Sequence, residues 1–593
     1  MTSVAAFVAA RLRTWGTDRV FGTPGPDVDP LVAGLGGGRR APEFIQVRHE
    51  ESAALMACAH AKLTGRVGCC LAPSGPGALR LLGGLYDAAL DRRPVVALIG
   101  ESPVPPGAGV RGRTVLTAHL FAHVSEYSER VTDPALIGDA LDRALRAALG
   151  GRGVATLIVP RPVLEAKAPS EPREEEATSS PLHVRPPLRP LDAQVRRAAD
   201  VLNDGRRAAV VVGPDAAGAA DLVTEVAERL GAGVAKTPSG RDVLSDDLPF
   251  MTGVAAAFGS APAASLVRDC DTLLLVGAHD FDTALLPASG PQHCRVVTVD
   301  ADADACPVDT DACPAVPVTG NVVLTLETLL PLLHRRSDSR WRDAVEEAVE
   351  EWQAEGRAKA RRFFGMAISP RSVVAELSAR LPDHAVVVTD TGSALDWWTR
   401  HLLLRDGMRA LLSRHLATPG AAVPYAVAAR LACPERPVIA LVGDGALQAG
   451  GMNELITVRR HLQRLADLPP VIFCVLNNED LSRLTWQRRH GDGNPRIPTT
   501  GEVPAVSYAQ YTELLGLPAV RCVRPGDVAL VWEEALGAKG PVLLEFMVDG
   551  DTPPDWADPG DRALGGQGLR HAAETSSWRR RITASVSRRL GSA

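Results

Sequence analysis

What most restricts this chain is a rhythm repeated three times: short β-branched runs separated by stretches of helical period. FIQV and VVALIG mark the first block, AAVVVG, TLLLVG and RVVTVD the second, and AVVVTD, PVIALVG, VIFCVLN and VLLEFMV the third. Strands that alternate with helices build βαβ units, which assemble as parallel sheets with helices on both faces. The 593 residues exceed what one hydrophobic core can serve, so about two to four domains of roughly 100–200 residues are expected. The predicted class is α/β, with three doubly wound parallel-sheet domains.

Composition shifts place the boundaries. KAPSEPREEEATSSPLHVRPPLRP, residues 167–190, is rich in proline, serine and glutamate without apolar period and reads as a linker. The charged stretch DSRWRDAVEEAVEEWQAEGRAKARRFF, within 336–370, has helical period and reads as a second connection. The domains expected are 1–166, 191–335 and 371–550, followed by a tail over 551–593. In such folds ligands sit outside the carboxyl ends of the strands.

A formal net charge of −6 leaves no basic footprint, so nucleic-acid binding is disfavoured. MTSVAAFVAARLRTWG reads as an amphipathic first helix, and no run reaches the roughly 18 apolar residues of a membrane span, so a cytoplasmic location is expected. The ten cysteines are scattered; Cys306 and Cys313 with their aspartates offer too few soft ligands for a structural zinc, and all ten read as reduced thiols.

The segment LVGDGALQAGGM, Leu441 to Met452, ends an apolar run in an aspartate between two glycines. PVIALVG reads as a strand, GDG as the turn leaving it and GGMNELITVRRHL as the following helix; VIFCVLNNED is the next strand, ending in asparagines. Asp444 and Asn478, 34 residues apart (478 − 444), then leave neighbouring parallel strands at one edge. A carboxylate and an amide oxygen there suit a hard cation such as Mg²⁺, which keeps part of its shell for phosphate oxygens. Gly443 and Gly445 would let a phosphate approach the backbone, and the helix start favours its charge.

GDGALQ followed by LNNED resembles the fingerprint of thiamine diphosphate (ThDP) enzymes. The resemblance implies magnesium ligands Asp444, Asn478 and the main-chain carbonyl of Asp480, with Gly443, Gly445 and Ala446 lining the cofactor. DTGSALDWW resembles the family's first diphosphate loop, implying contacts from Thr391, Gly392 and Ser393. FIQVRHEESAAL resembles the strand and helix start of the pyrimidine domain, where Glu50 would protonate the aminopyrimidine; FGTPGPDVDPL and APSGPGALRLLGGLYDA resemble its turns, adding Gly25, Ser74, Gly75, Pro76 and Gly77. The resemblance covers roughly residues 1–550 in the order pyrimidine, middle, diphosphate domain. It is to the pyruvate oxidase and acetolactate synthase group, whose sites form between subunits, so a homodimer or homotetramer is implied.

Three departures bear on the reaction. Where the family carries Phe-Gln-Glu, this chain has Gly112, Arg113 and Thr114; Arg113 reads either as an anchor for a substrate carboxylate or as a solvated loop charge. Where a bulky residue, often methionine, supports the thiazolium, Pro419 stands, with Leu416 nearby. Where pyruvate oxidases hold FAD, Asp280 and Thr283 replace a phenylalanine and an arginine, so flavin is open but not supported and the middle domain reads as scaffold. The expected activity is decarboxylation of a small 2-oxo acid with transfer of the acyl unit to an organic acceptor. An FAD-linked oxidase or dehydrogenase, and a ThDP-fold binding protein without turnover, are the alternatives. The basic SSWRRRITASVSRRLGSA reads as a solvated terminus rather than a membrane-surface helix.

Overall fold

A computed structural model describes residues 2–36, 41–102, 117–169, 187–286, 294–302, 315–361, 367–491, 500–554 and 556. Most of the 167–190 stretch, Arg113 and the basic tail lie outside the described residues. Three separate six-stranded sheets carry the chain, and every described strand pairing is parallel, as the alternation of strand and helix predicts. The first contains β1 (Arg19–Gly22), β2 (Glu43–Gln46), β3 (Gly68–Ala72), β4 (Val95–Glu101), β5 (Ser125–Arg130) and β6 (Val154–Pro160), in the order β2-β1-β3-β4-β6-β5. The second contains β7 (Ala208–Val212), β8 (Gly233–Lys236), β9 (Met251–Val254), β10 (Thr272–Val276), β11 (Arg295–Asp300) and β12 (Ala315–Thr319), ordered β12-β11-β10-β7-β8-β9. The third contains β13 (Val386–Thr389), β14 (Arg409–Leu411), β15 (Val438–Gly443), β16 (Val471–Asn477), β17 (Ala519–Cys522) and β18 (Pro541–Met547), ordered β14-β13-β15-β16-β18-β17.

The first and third sheets share one core. Helix α1 (Glu50–Thr64) reads EESAALMACAHAKLT, and its alanines let neighbours approach on several sides, so nearly the whole helix is buried. It packs against α2 (Pro76–Leu90) and, across the domain boundary, against α3 (Ala422–Ala432), itself buried almost throughout. Lys62 ties the two domains: its Nζ lies 2.5 Å from Asp91 and donates to the Leu412 carbonyl (2.6 Å) and the Tyr425 hydroxyl (2.9 Å). A buried lysine is tolerated only with such pairing. The charged stretch after residue 336 contains the helix Arg340–Ala360. Among the described residues no helix is long and apolar enough to cross a membrane.

Candidate active site

The third sheet brings Asp444 and Asn478 together as the spacing predicts. β15 and β16 pair in parallel register, Gly443 opposite Leu476, so both side chains leave adjacent strand ends on one edge. Asp444 is buried and accepts only from backbone: Gly445 N (2.8 Å) on Oδ1, Asn478 N (3.1 Å) and Glu479 N (2.6 Å) on Oδ2. Burial pushes its carboxyl up to about 6, against the pull of those N–H groups, and Asp480 pushes the same way. No cationic side chain pairs with Asp444 among the described residues, so the group is a buried acid short of positive charge, which a divalent cation would supply. Asn478 Oδ1 accepts from Asp480 N (3.2 Å), and Glu479 sits at φ +54°, a sharp turn. The bridge beside it is made by Leu481 N donating to Gly501 O (2.6 Å) and Val503 N donating to Glu479 O (3.0 Å).

The phosphate-facing glycines divide. Space beside Gly443 is open, whereas a Cβ on Gly445 would lie 2.5 Å from Leu481 Cδ2. A side chain on Gly445 would have to displace the end of the Leu481 side chain on the β16 exit loop. Ala446 follows in the same turn, ahead of a π-helical segment, Leu447–Gly451. Gly392, φ +83°, caps the helix Ser393–His401 with open space where a side chain would stand.

Asp390, which the sequence reading left out, organises two loops. Its carboxylate accepts from Thr391 N (2.9 Å), Gly420 N (3.0 Å) and Ala422 N (3.0 Å), tying the Thr391–Gly392–Ser393 turn to the Pro419 loop. Gly420, φ +89°, lets that loop lie on the π-helical segment, since a Cβ there would fall 2.7 Å from Gly450 Cα. Leu416 and Pro419 stay exposed, presenting an apolar surface. The first domain holds the same loop: Asp91 accepts from Arg414 N (3.1 Å) and His415 N (3.0 Å), and Ser413 Oγ donates to Asp87 (2.5 Å) while accepting from Thr418 N (2.9 Å).

Burial pushes the Asp390 carboxyl up to about 6. Since the folded value lies above the ordinary 3.8 of an aspartate, its contribution to stability is full below about 3.8 and lost as pH rises through about 6. Relative to Asp390→Asn, the wild type should lose about 3 kcal/mol of stability across that window, to be read by denaturant unfolding at pH 4 and pH 7. An unchanged difference between the two proteins would contradict this.

The other half of the site is in the first sheet. Glu50 opens α1 and is 7% exposed; Thr23 Oγ1 donates to its Oε1 (2.8 Å), and Gly77 lies close enough that a Cβ would meet Oε1 at 3.3 Å. Its Oε2 is buried with no hydrogen-bond partner among the described residues, and Arg80, largely exposed, stands 3.6 Å away. The turns around it are tightly fitted. Gly25 abuts Pro73, Ser74 N donates to Asp27 (2.6 Å), and Gly75 and Pro76 start α2. Glu454, also absent from the sequence reading, is fully buried; its Oε1 accepts from Arg48 N (3.1 Å) and His49 N (3.2 Å), fixing the backbone just before Glu50. Each contact named for the Glu50 carboxylate comes from the first domain, and each one for Asp444 from the third. Asp280, where flavin contacts were considered, accepts from Ser239 N (3.1 Å) and faces Arg414 at 3.7 Å.

Comparison with known proteins adds the following. Residues 2–110 match the family described as thiamine pyrophosphate enzyme, N-terminal TPP binding domain; residues 195–329 match its central domain and residues 390–546 its C-terminal TPP binding domain. The chain is 30% identical over 551 residues to YdaP of Bacillus subtilis, a protein named for thiamine pyrophosphate, covering 92% of this chain and 91% of the relative. It is 27% identical over 558 residues to pyruvate oxidase of Lactiplantibacillus plantarum, covering 92% and 89%. To the acetolactate synthase isozyme 2 large subunit of Escherichia coli it is 28% identical over 561 residues, covering 92% and 95%.

Proposed function

The chain belongs to the thiamine pyrophosphate-dependent enzymes, and on that premise we propose that it binds the cofactor through Mg²⁺, decarboxylates a small 2-oxo acid of the pyruvate type and passes the acyl unit to an organic acceptor. The observation that carries this reading is the buried Asp444 carboxylate, held by backbone donors alone beside Asn478. Asp444, the Asn478 amide oxygen and the Asp480 carbonyl hold magnesium; the open faces of Gly392 and Gly443 admit the diphosphate. Glu50 carries a proton on its unpaired Oε2 to the ring nitrogen of the aminopyrimidine, with Thr23 fixing the other oxygen. Pro419 and Leu416 back the thiazolium and keep water from it. When bound, the cofactor would supply a carbon nucleophile for the 2-oxo carbonyl and, in its cationic ring, a sink for the electron pair released as carbon dioxide leaves. As the resemblance to the pyruvate oxidase and acetolactate synthase group implies, Glu50 of one copy and Asp444 of another serve the same cofactor, and the working unit is a homodimer or a larger homo-oligomer.

The test is incubation with ThDP, Mg²⁺ and a panel of 2-oxo acids, with carbon dioxide and product masses recorded. Release of carbon dioxide with a carboligated product is expected; no consumption of any 2-oxo acid would refute the proposal. Full-length likeness to a protein named pyruvate oxidase favours a second reading, a flavin-linked oxidation. A flavin absorbance band at roughly 450 nm in the purified protein would select it.

A further inference from the structure

The middle sheet carries a second cluster of ligating side chains that the proposed activity does not use. The chain runs from β7 outward through β8 and β9, then returns to β10 on the other side of β7. The carboxyl ends of β7 and β10 therefore flank the point where strand order reverses, the crevice where open α/β sheets bind ligands. Two glycines bring the exit turns into contact. A Cβ on Gly213 would fall 2.1 Å from the Gly277 carbonyl, and one on Gly277 would fall 2.8 Å from Ala216 N and from Asp215 Cβ. Two residues beyond each glycine stand Asp215 and His279, and Asp300 ends the adjacent strand β11. One ligating atom from each of the three lies within 4.8 Å of the others.

The three groups have partners of unequal closeness. Asp215 Oδ2 is 2.6 Å from Arg152, whose side chain is 44% exposed, and Asp300 Oδ1 accepts from Asp302 N (3.0 Å). Among the described residues His279, with a side chain 7% exposed, has no hydrogen-bond partner on Nδ1, which lies 3.6 Å from Asp215 Oδ2. Its ring stacks on His415, centroids 6.2 Å apart, so Nδ1 is held beside the carboxylate. Arg152 and His279 both pair with Asp215, and the His279 pairing is the looser of the two.

We propose that Asp215, His279 and Asp300 form a binding site for a divalent first-row transition metal such as Zn²⁺. One imidazole with two carboxylates is a harder set than zinc thiolate sites and a softer one than the all-oxygen shell that magnesium takes at Asp444 and Asn478. Two ligands about 2.1 Å from a tetrahedral ion stand about 3.4 Å apart, so Asp215 and His279 already have that spacing and a shift of about 1 Å closes the set. Three protein ligands leave one position open. A neighbouring cavity of about 120 Å³, lined by His279, Pro214, Ser239, Arg93 and Lys62, gives that position room for water or an anionic group.

The site is independent of the proposed ThDP reaction and is tested without it. Full-length protein freed of metal by chelation is titrated with Zn²⁺ alone, and bound metal is measured after equilibrium dialysis, alongside thermal melts. Wild type and Asp444→Asn should each retain one tightly bound Zn²⁺ per chain that raises the melting temperature. His279→Ala should weaken that binding by about tenfold or more and abolish the melting shift. Asp300→Asn serves as the second variant, and equal melting of all variants in chelator establishes that they are folded. Undiminished zinc uptake by both His279→Ala and Asp300→Asn, uptake lost only with Asp444→Asn, or no tight uptake by the wild type would overturn the assignment.

Discussion

Glu50→Gln is expected to cut 2-oxo acid turnover by about 10²–10⁴-fold while leaving the protein folded and able to bind ThDP, because the substitution removes a proton and little else. The amide keeps the shape of the side chain, and its oxygen can still accept from Thr23 Oγ1. The new NH₂ would stand where Oε2 is buried without a hydrogen-bond partner. Losing an acid from the first turn of α1 costs only about 0.3–1 kcal/mol of favourable interaction with the helix dipole, so melting should move by a few degrees at most. Carbon dioxide release and cofactor titration are the paired readouts. Turnover retained in the variant would remove Glu50 from the chemistry. Absence of turnover in both proteins, with ThDP bound, would favour the non-catalytic alternative.

Much of this architecture was legible because it is local. Runs such as VIALVG and VIFCVLN are buried on both faces, so their apolar continuity identifies them as inner parallel strands. The strands the sequence reading passed over include marginal ones, Ser125–Arg130, which alternates half-buried with exposed residues, and Arg409–Leu411, of three residues, but also the inner strands Gly68–Ala72 and Val154–Pro160. Asp444 and Asn478 were readable because two strand ends and one crossover fix their relation. Glu454 was not, since its part depends on donors at Arg48 and His49 some four hundred residues earlier in the chain. Asp390 appeared in sequence only as the start of a turn, and its hold on Gly420 and Ala422 is set by the way two loops fold onto one strand end. The contact between Gly445 and Leu481 is likewise invisible in the pattern GDG, because it depends on the exit loop of the next strand.

Asp444→Asn is expected to lower magnesium-dependent ThDP affinity by about a hundredfold or more, which separates it from Glu50→Gln, where binding survives. The carboxylate, proposed as a ligand, has two oxygens that also take three backbone N–H groups. An asparagine has one acceptor oxygen, so at least one of those donors would face an NH₂, at about 1–3 kcal/mol for a buried group left unsatisfied. The same change removes a buried carboxylate that lacks a cationic partner, which offsets part of that loss in metal-free protein. Thermal melts in chelator should therefore differ modestly between variant and wild type. Mg²⁺ with ThDP at a hundred times its dissociation constant should stabilise the wild type by about 2.7 kcal/mol and the variant by little. Cofactor without magnesium should stabilise both much less, because Asp444 and Asp480 without the ion repel the diphosphate. Equal stabilisation of wild type and Asp444→Asn by Mg²⁺ and ThDP would mean that the ion is held elsewhere, and the assignment of the β15 and β16 strand ends as its site would fail.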